Sequence, residues 1–372
     1  MLSLCFLAVS MHATGQPLPC NKNVDAPYDF FNGVGPDFRT FAQPVGPDFG
    51  LSKTAIAVVN GNADVKGARL CNGNTVLVWW PDGSRIPNFL MGRLFDGGHR
   101  PLAQEFRVTD SNEEQWEHSV GALYNGNFVV TWKTYSDHKD RQNGGIKIRA
   151  RVFDSTGYPL TKSINVSTTG SGGQHGQARV YGLMNGDFAV LWHLYKNGVY
   201  LRIFDGKKGR PRSPEVLVKE INDPSSSLIP YGHVSQSGVL NVFLRAFEDF
   251  RDEAPFRYAR SYNGQGLALT DVLTAEPIAE LDGYQSSVEQ VVLQKAHGLE
   301  QRMRGFVQKD HTASGFCESD YSVNLVVANR VKDFSKSSRM QNFAAKFCQV
   351  VRSNCPLSED LLRQVDQCLK VP

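Results

Sequence analysis

Apolar and polar positions along the chain fall into short alternating runs of five to eight residues, broken by single glycines, the pattern of many short half-buried strands. One block recurs with a period near 50 residues, which points to repeated blades or solenoid units. Its clearest copy runs Asn125-Gly126-Asn127-Phe128-Val129-Val130-Thr131-Trp132 and then Arg151-Val152-Phe153-Asp154-Ser155-Thr156-Gly157. Asn72 to Trp79 with Arg93 to Gly97, and Asn185 to Trp192 with Arg202 to Gly206, repeat it. A weaker copy spans Ser237 to Leu244 and Arg260 to Gly264, with Leu in place of Trp and Tyr-Asn in place of Phe-Asp. A fifth is expected between Val288 and Val331.

Each unit predicts four antiparallel strands. The Asn-Gly steps supply the positive φ that a tight hairpin demands, the Trp and Phe suit packing between neighbouring sheets, and the Asp after Phe suits a turn whose carboxylate accepts backbone N–H groups. The expected fold is all-β: a β-propeller of about five four-stranded blades over residues 16–331, with repeats at 65–108, 118–166, 178–218, 231–275 and 288–331. An open solenoid or a pair of sandwiches is the alternative. The stretch Phe38 to Asn60 is expected to lend an outer strand to the last blade. From Lys332 the spacing turns helical, with Phe334, Phe343, Phe347 and Val350 or Val351 on one side, a break at Pro356, and a second helix capped by Ser358 that carries Leu361, Leu362, Val365 and Leu369.

These units resemble the DGxFVVxW and RxFDxxG tandem repeats of large secreted bacterial proteins of the haemolysin and adhesin type. The resemblance covers about Leu70 to Val218 and extends weakly to Ala275. It implies a repeat type and no activity. The glycine-aspartate nonapeptides that bind calcium in those toxins are absent, so calcium is not implied.

Residues 1–15, with an apolar run from Leu2 to Val9 and then Ala13-Thr14-Gly15, read as an export signal cleaved before Gln16. Removing Cys5 leaves six cysteines, Cys20, Cys71, Cys317, Cys348, Cys355 and Cys368. An even set behind an export signal reads as three disulfides, and no C-x2-C pair supports a zinc site. Cys348, Cys355 and Cys368 are placed to staple the helical tail to itself and, through one left over, to the β body, with Cys317 a reasonable partner. Asn165-Val166-Ser167 is a glycosylation sequon.

Composition adds exclusions. A formal charge of +3 with no basic stripe argues against nucleic acid, and past the leader no apolar run is long enough to span a bilayer. No cofactor or metal motif is present. Chemistry is therefore expected on the connections between second and third strands, which differ from blade to blade. The candidates there and on the blade links are His118, His138, Asp140, Glu248, Asp252 and His311. Several carboxylates and imidazoles near one axis would suit acid–base work. Against that, each is also what a solvated loop ordinarily carries. Binding of an extracellular ligand (a glycan, a protein or a small molecule) is the leading reading. A secreted enzyme, either a carboxylate-dependent hydrolase or a cofactor-free oxidase, and a structural matrix component are the alternatives. The sequence leaves the oligomeric state open.

Overall fold

The computed structural model describes residues 30–34, 39–44, 56–60, 65–81, 89–111, 115–135, 146–168, 175–194, 197–221, 228–246, 256–274 and, apart from position 356, 338–369, with a few single positions between 278 and 328. The expected fifth repeat, Cys20 and Cys317 lie outside these residues, as do residues 1–15.

Strands β4 to β7 (Val65–Arg69, Thr75–Trp79, Met91–Phe95, Phe106–Arg107) form one antiparallel four-stranded blade. A second is built from β8 to β11 (Gln115–Ala122, Phe128–Tyr135, Ile146–Phe153, Ile164–Asn165) and a third from β12 to β15 (His175–Gly182, Phe188–Leu194, Gly198–Phe204, Val216–Glu220). In the fourth, β16 to β18 (Leu228–Val234, Leu240–Ala246, Tyr258–Tyr262) are paired. Within Phe38–Asn60, expected to lend an outer strand to the last blade, β2 and β3 pair with an earlier strand in a three-stranded sheet, β1 to β3 (Phe30–Val34, Arg39–Pro44, Ile56–Asn60), with β1 against β4, and the last blade itself lies outside the described residues. A strand pairs most readily with its chain neighbours, and three successive short runs satisfy one another locally.

Alternation within the strands decides which blade meets which. Phe128, Val130 and Trp132 pack with Val76, Val78 and Leu94 of the first blade. Val129, Ile148 and Val152, pointing the other way, pack with Phe188, Val190 and Trp192 of the third. Ala189, Leu191 and Leu201 of the third in turn meet Leu240, Val242 and Leu244 of the fourth. The blades thus stack face to face in chain order, as in a β-propeller, with Trp132 and Trp192 buried in successive seams.

The repeated polar residues are all used in building this stack. In the first hairpins only the glycine is left-handed, with φ of +83°, +88°, +85° and +82° at Gly73, Gly126, Gly186 and Gly238. In the first three the preceding asparagine keeps negative φ and accepts a hydrogen bond from the residue after the glycine, 3.0 Å from the Asn127 N–H to the Asn125 side chain, and in the fourth the Ser235 hydroxyl accepts from the Val239 N–H. These are three-residue loops, a type I turn closed by a glycine bulge. In the later turns, Asp154 Oδ1 accepts the N–H groups of Thr156 and Tyr158, Asp96 and Asn263 do the same in their blades, and Asp205 accepts from Lys207 and Lys208. Burial opposes ionisation of Asp154, but bonds from the Thr156 hydroxyl and the turn N–H groups outweigh it and hold the carboxyl below its usual range. Glycine takes the left-handed position in three of these turns, at Gly157, Gly209 and Gly266, while the first blade places His99 there at φ 65°.

In the second, third and fourth blades the arginine of the Arg-x-Phe-Asp step, Arg-x-Tyr-Asn in the fourth, is a clamp to the blade before. Arg151 donates from Nε to the Thr161 carbonyl of its own blade and from Nη1 to the Val108 carbonyl of the blade before, each at 2.9 Å. Arg202 spans Ser213 O and Val166 O, and Arg260 spans Thr270 O and Val218 O. Each guanidinium also lies over the aromatic ring two residues on.

Helices α1 (Ser338–Asn354) and α2 (Glu359–Leu369) form the expected hairpin. Ser358 caps α2 by accepting the Leu361 N–H at 3.3 Å. A Cys348–Cys368 disulfide joins the helices amid buried Phe347, Val351 and Val365, and Cys71 and Cys355 are also disulfide-bonded. Leu362, expected on the apolar side, is 41% exposed. No helix among the described residues is long and apolar enough to cross a membrane.

Candidate functional site

The connections between second and third strands leave the blades at the ends of β5, β9, β13 and β17, beside the starts of β8, β12 and β16. Of the six residues singled out from sequence, only His118 falls among the described residues; His138, Asp140, Glu248, Asp252 and His311 lie outside them. His118 is 4% exposed, with Nε2 3.1 Å from the Val78 carbonyl and its ring 5.6 Å from that of Trp80. It therefore sits inside the seam between the first and second blades. No group of three His, Cys, Asp or Glu side chains is assembled for a metal among the described residues.

β8 carries a bulge between Trp116 and His118, and Glu117 at that bulge has a φ of 42°. A left-handed glutamate beside a bulge re-aims the strand where it enters the loop end. β12 shifts register at the same place, between His175 and Ala178.

One position stands out when the blades are aligned. The residue directly after the recurring Trp, or after Leu244 in the fourth blade, is Trp80, Lys133, His193 and Arg245 in turn. The Trp or Leu of the later three blades faces the preceding blade, so alternation turns the next residue toward the following seam. Four equivalent places at the loop end thus hold an indole, an ammonium, an imidazole and a guanidinium. His193 is 9% exposed, and burial, followed by the charge of Lys133, lowers its pKa from 6.5 to about 4. Arg245 is 5% exposed and lies 5.8 Å from the Tyr231 ring, over which Arg179 stacks at 4.1 Å. Beside them Tyr181 is pushed up, first by its burial.

From sequence His193 reads as a satisfied strand histidine, and Trp80, Lys133 and Arg245 carry no signal, because the repeat shows what is shared. The informative residue is the one that differs at a fixed offset. Asn165, the sequon residue, is exposed on the edge strand β11 and accepts a hydrogen bond from Arg149.

No family model matches the chain, and no curated protein does. Similar solved structures include the alpha-L-arabinanase of Penicillium chrysogenum, at 13% identity and TM-score 0.40, covering 66% of this chain and 80% of that one. The endo-arabinase of Bacteroides thetaiotaomicron is similar at 12% and 0.38, over 61% and 92% of the two chains. A variant of the NanB sialidase of Streptococcus pneumoniae is similar at 11% and 0.39, over 63% and 35%. Likeness at this level transfers no residue, substrate or activity to this chain.

Proposed function

We propose that the protein is an exported β-propeller that binds an extracellular ligand through the end of the blades where the second-to-third strand connections emerge. One observation carries this reading: four equivalent positions at that end hold four unlike side chains, Trp80, Lys133, His193 and Arg245, where the surrounding repeat is otherwise shared. Unlike side chains at like places favour one asymmetric site over several identical ones. The ligand is a glycan, a protein or a small molecule.

Binding by the purified full chain to a glycan array and an extracellular-protein array tests this, with Lys133→Ala and His193→Ala expected to weaken whatever is captured. Equal capture by both variants would move the site elsewhere. Export and glycosylation belong to the same proposal. Mass spectrometry of the protein from a secreting host should show an N-terminus at Gln16 and a glycan on Asn165; an intact residue 1–15 segment would remove the export step.

A further inference from the structure

The seam between the first and second blades holds polar groups that the fold leaves without partners. Gln115 is fully buried, and neither its side-chain oxygen nor its nitrogen has a hydrogen-bond partner. It pairs across the sheet with Thr134, two residues beyond Trp132, so it shares the Trp132 face and looks into this seam. The Nε1 of Trp132, which is 1% exposed, is also unpartnered. Trp80, packed on the same cluster and beside His118, has a third buried and unpartnered N–H. On the adjoining bulge, a buried oxygen of Glu117 has no partner either.

Buried polar atoms are nearly always hydrogen-bonded, and a buried amide with both ends unpaired is among the costlier exceptions. Among the described residues, the position opposite the blade's Trp or Leu is Val65, Ala178 or Pro230 in the other blades, where the second blade has His118. Resting on the reading that this end binds a ligand, we infer that the loop end of the first seam is the recognition subsite, and that it takes a neutral hydroxyl-bearing ligand of the saccharide class. Two indole N–H donors, one amide that both donates and accepts, and one carboxylate oxygen complement hydroxyl groups, which also donate and accept. The indole rings supply flat apolar faces for C–H surfaces. An anionic ligand would find no opposite charge in Gln115, Trp80 or Trp132 and would be repelled by the Glu117 carboxylate.

The test uses the full chain, a panel of neutral mono- and disaccharides, and two variants. Gln115→Leu removes both amide atoms at similar volume, and Trp80→Phe removes one N–H while keeping a ring. Saturation-transfer NMR and tryptophan fluorescence read binding, and thermal unfolding reads stability. Each variant is expected to weaken saccharide binding about tenfold, the equivalent of one lost hydrogen bond, while Gln115→Leu unfolds at the same temperature as the parent or higher. If Gln115→Leu fails to fold, Trp80→Phe decides alone. Saccharide binding unchanged in both foldable variants would overturn the subsite and leave the loop-end reading standing. Capture of only proteins or charged ligands would overturn the saccharide class. Destabilisation by Gln115→Leu with no saccharide bound would identify the amide as the seat of a structural water and overturn the inference. No ligand of any kind on either array would remove the loop-end reading together with it.

Discussion

Replacing Arg151 by Met keeps the aliphatic stem and deletes the guanidinium that joins the first two blades. Two hydrogen bonds of 2.9 Å are lost, one to Thr161 O within the blade and one to Val108 O of the preceding blade, together with the stacking over Phe153. A hydrogen bond from a charged donor contributes about 1.5–3 kcal/mol. The side chain is only half-buried, so the low end applies, and the two bonds together amount to about 3 kcal/mol. Arg151→Lys retains the charge but not the planar fork, and about half of that loss is expected. Arg93 is the internal control: its Nε meets Ala103 O at 3.0 Å in an exposed setting, so Arg93→Met should cost under about 1 kcal/mol. Urea unfolding followed by tryptophan fluorescence reads all three, with m unchanged as the sign that only stability moved. Equal losses from Arg93→Met and Arg151→Met, or parental stability in Arg151→Lys, would show that the clamp contributes nothing across the seam.

His99 occupies, at φ 65°, the turn position that the other blades give to glycine, and its buried Nδ1 has no partner; His99→Gly should raise stability by about 1 kcal/mol in the same urea assay. A Cβ on Gly206 would lie 1.8 Å from the Gly186 carbonyl, so Gly206→Ala should cost about 3 kcal/mol, whereas Gly73→Ala, with φ +83° and open space, should cost only about 1. The lowered pKa of His193 means the unfolded chain takes up that proton first as pH falls. Its contribution is complete above about pH 6.5 and shrinks as pH drops toward 4, by roughly 3 kcal/mol in all, and His193→Gln should flatten that slope in urea midpoints measured between pH 7 and 4.5.

The four described repeats were legible because hairpin chemistry is local: an Asn-Gly step and a Phe-Asp step act on residues two to four positions away. Ser358 as a cap belongs to the same class of short-range signal, whereas the sequence leaves open which two of Cys348, Cys355 and Cys368 pair. The arginine role was not legible. Its acceptors are main-chain carbonyls some 40 residues away, such as Val108 for Arg151, and a carbonyl leaves no mark in a sequence. The three strands of the N-terminal sheet do not stand out in the sequence because their runs are short and lack the Asn-Gly to Trp and Arg-x-Phe-Asp pattern that flags the other blades. Among the site residues, His118 was picked for its imidazole and loop position, yet the structure places it inside a seam against Val78 O. Gln115 was invisible, since one amide in a strand resembles any other until its neighbours are known.

The arginine clamps all point the same way: each guanidinium reaches back to a carbonyl made earlier in the chain, Arg151 to Val108, Arg202 to Val166 and Arg260 to Val218. On a ribosome, the acceptor has therefore always been synthesised before its donor. A nascent blade can dock as soon as its third strand emerges, about 40 residues after the carbonyl it seeks. Growth proceeds like laying bricks from one end, with a single raw face awaiting the next unit at any moment, and that polarity limits the sticky surface a half-made chain presents to its neighbours.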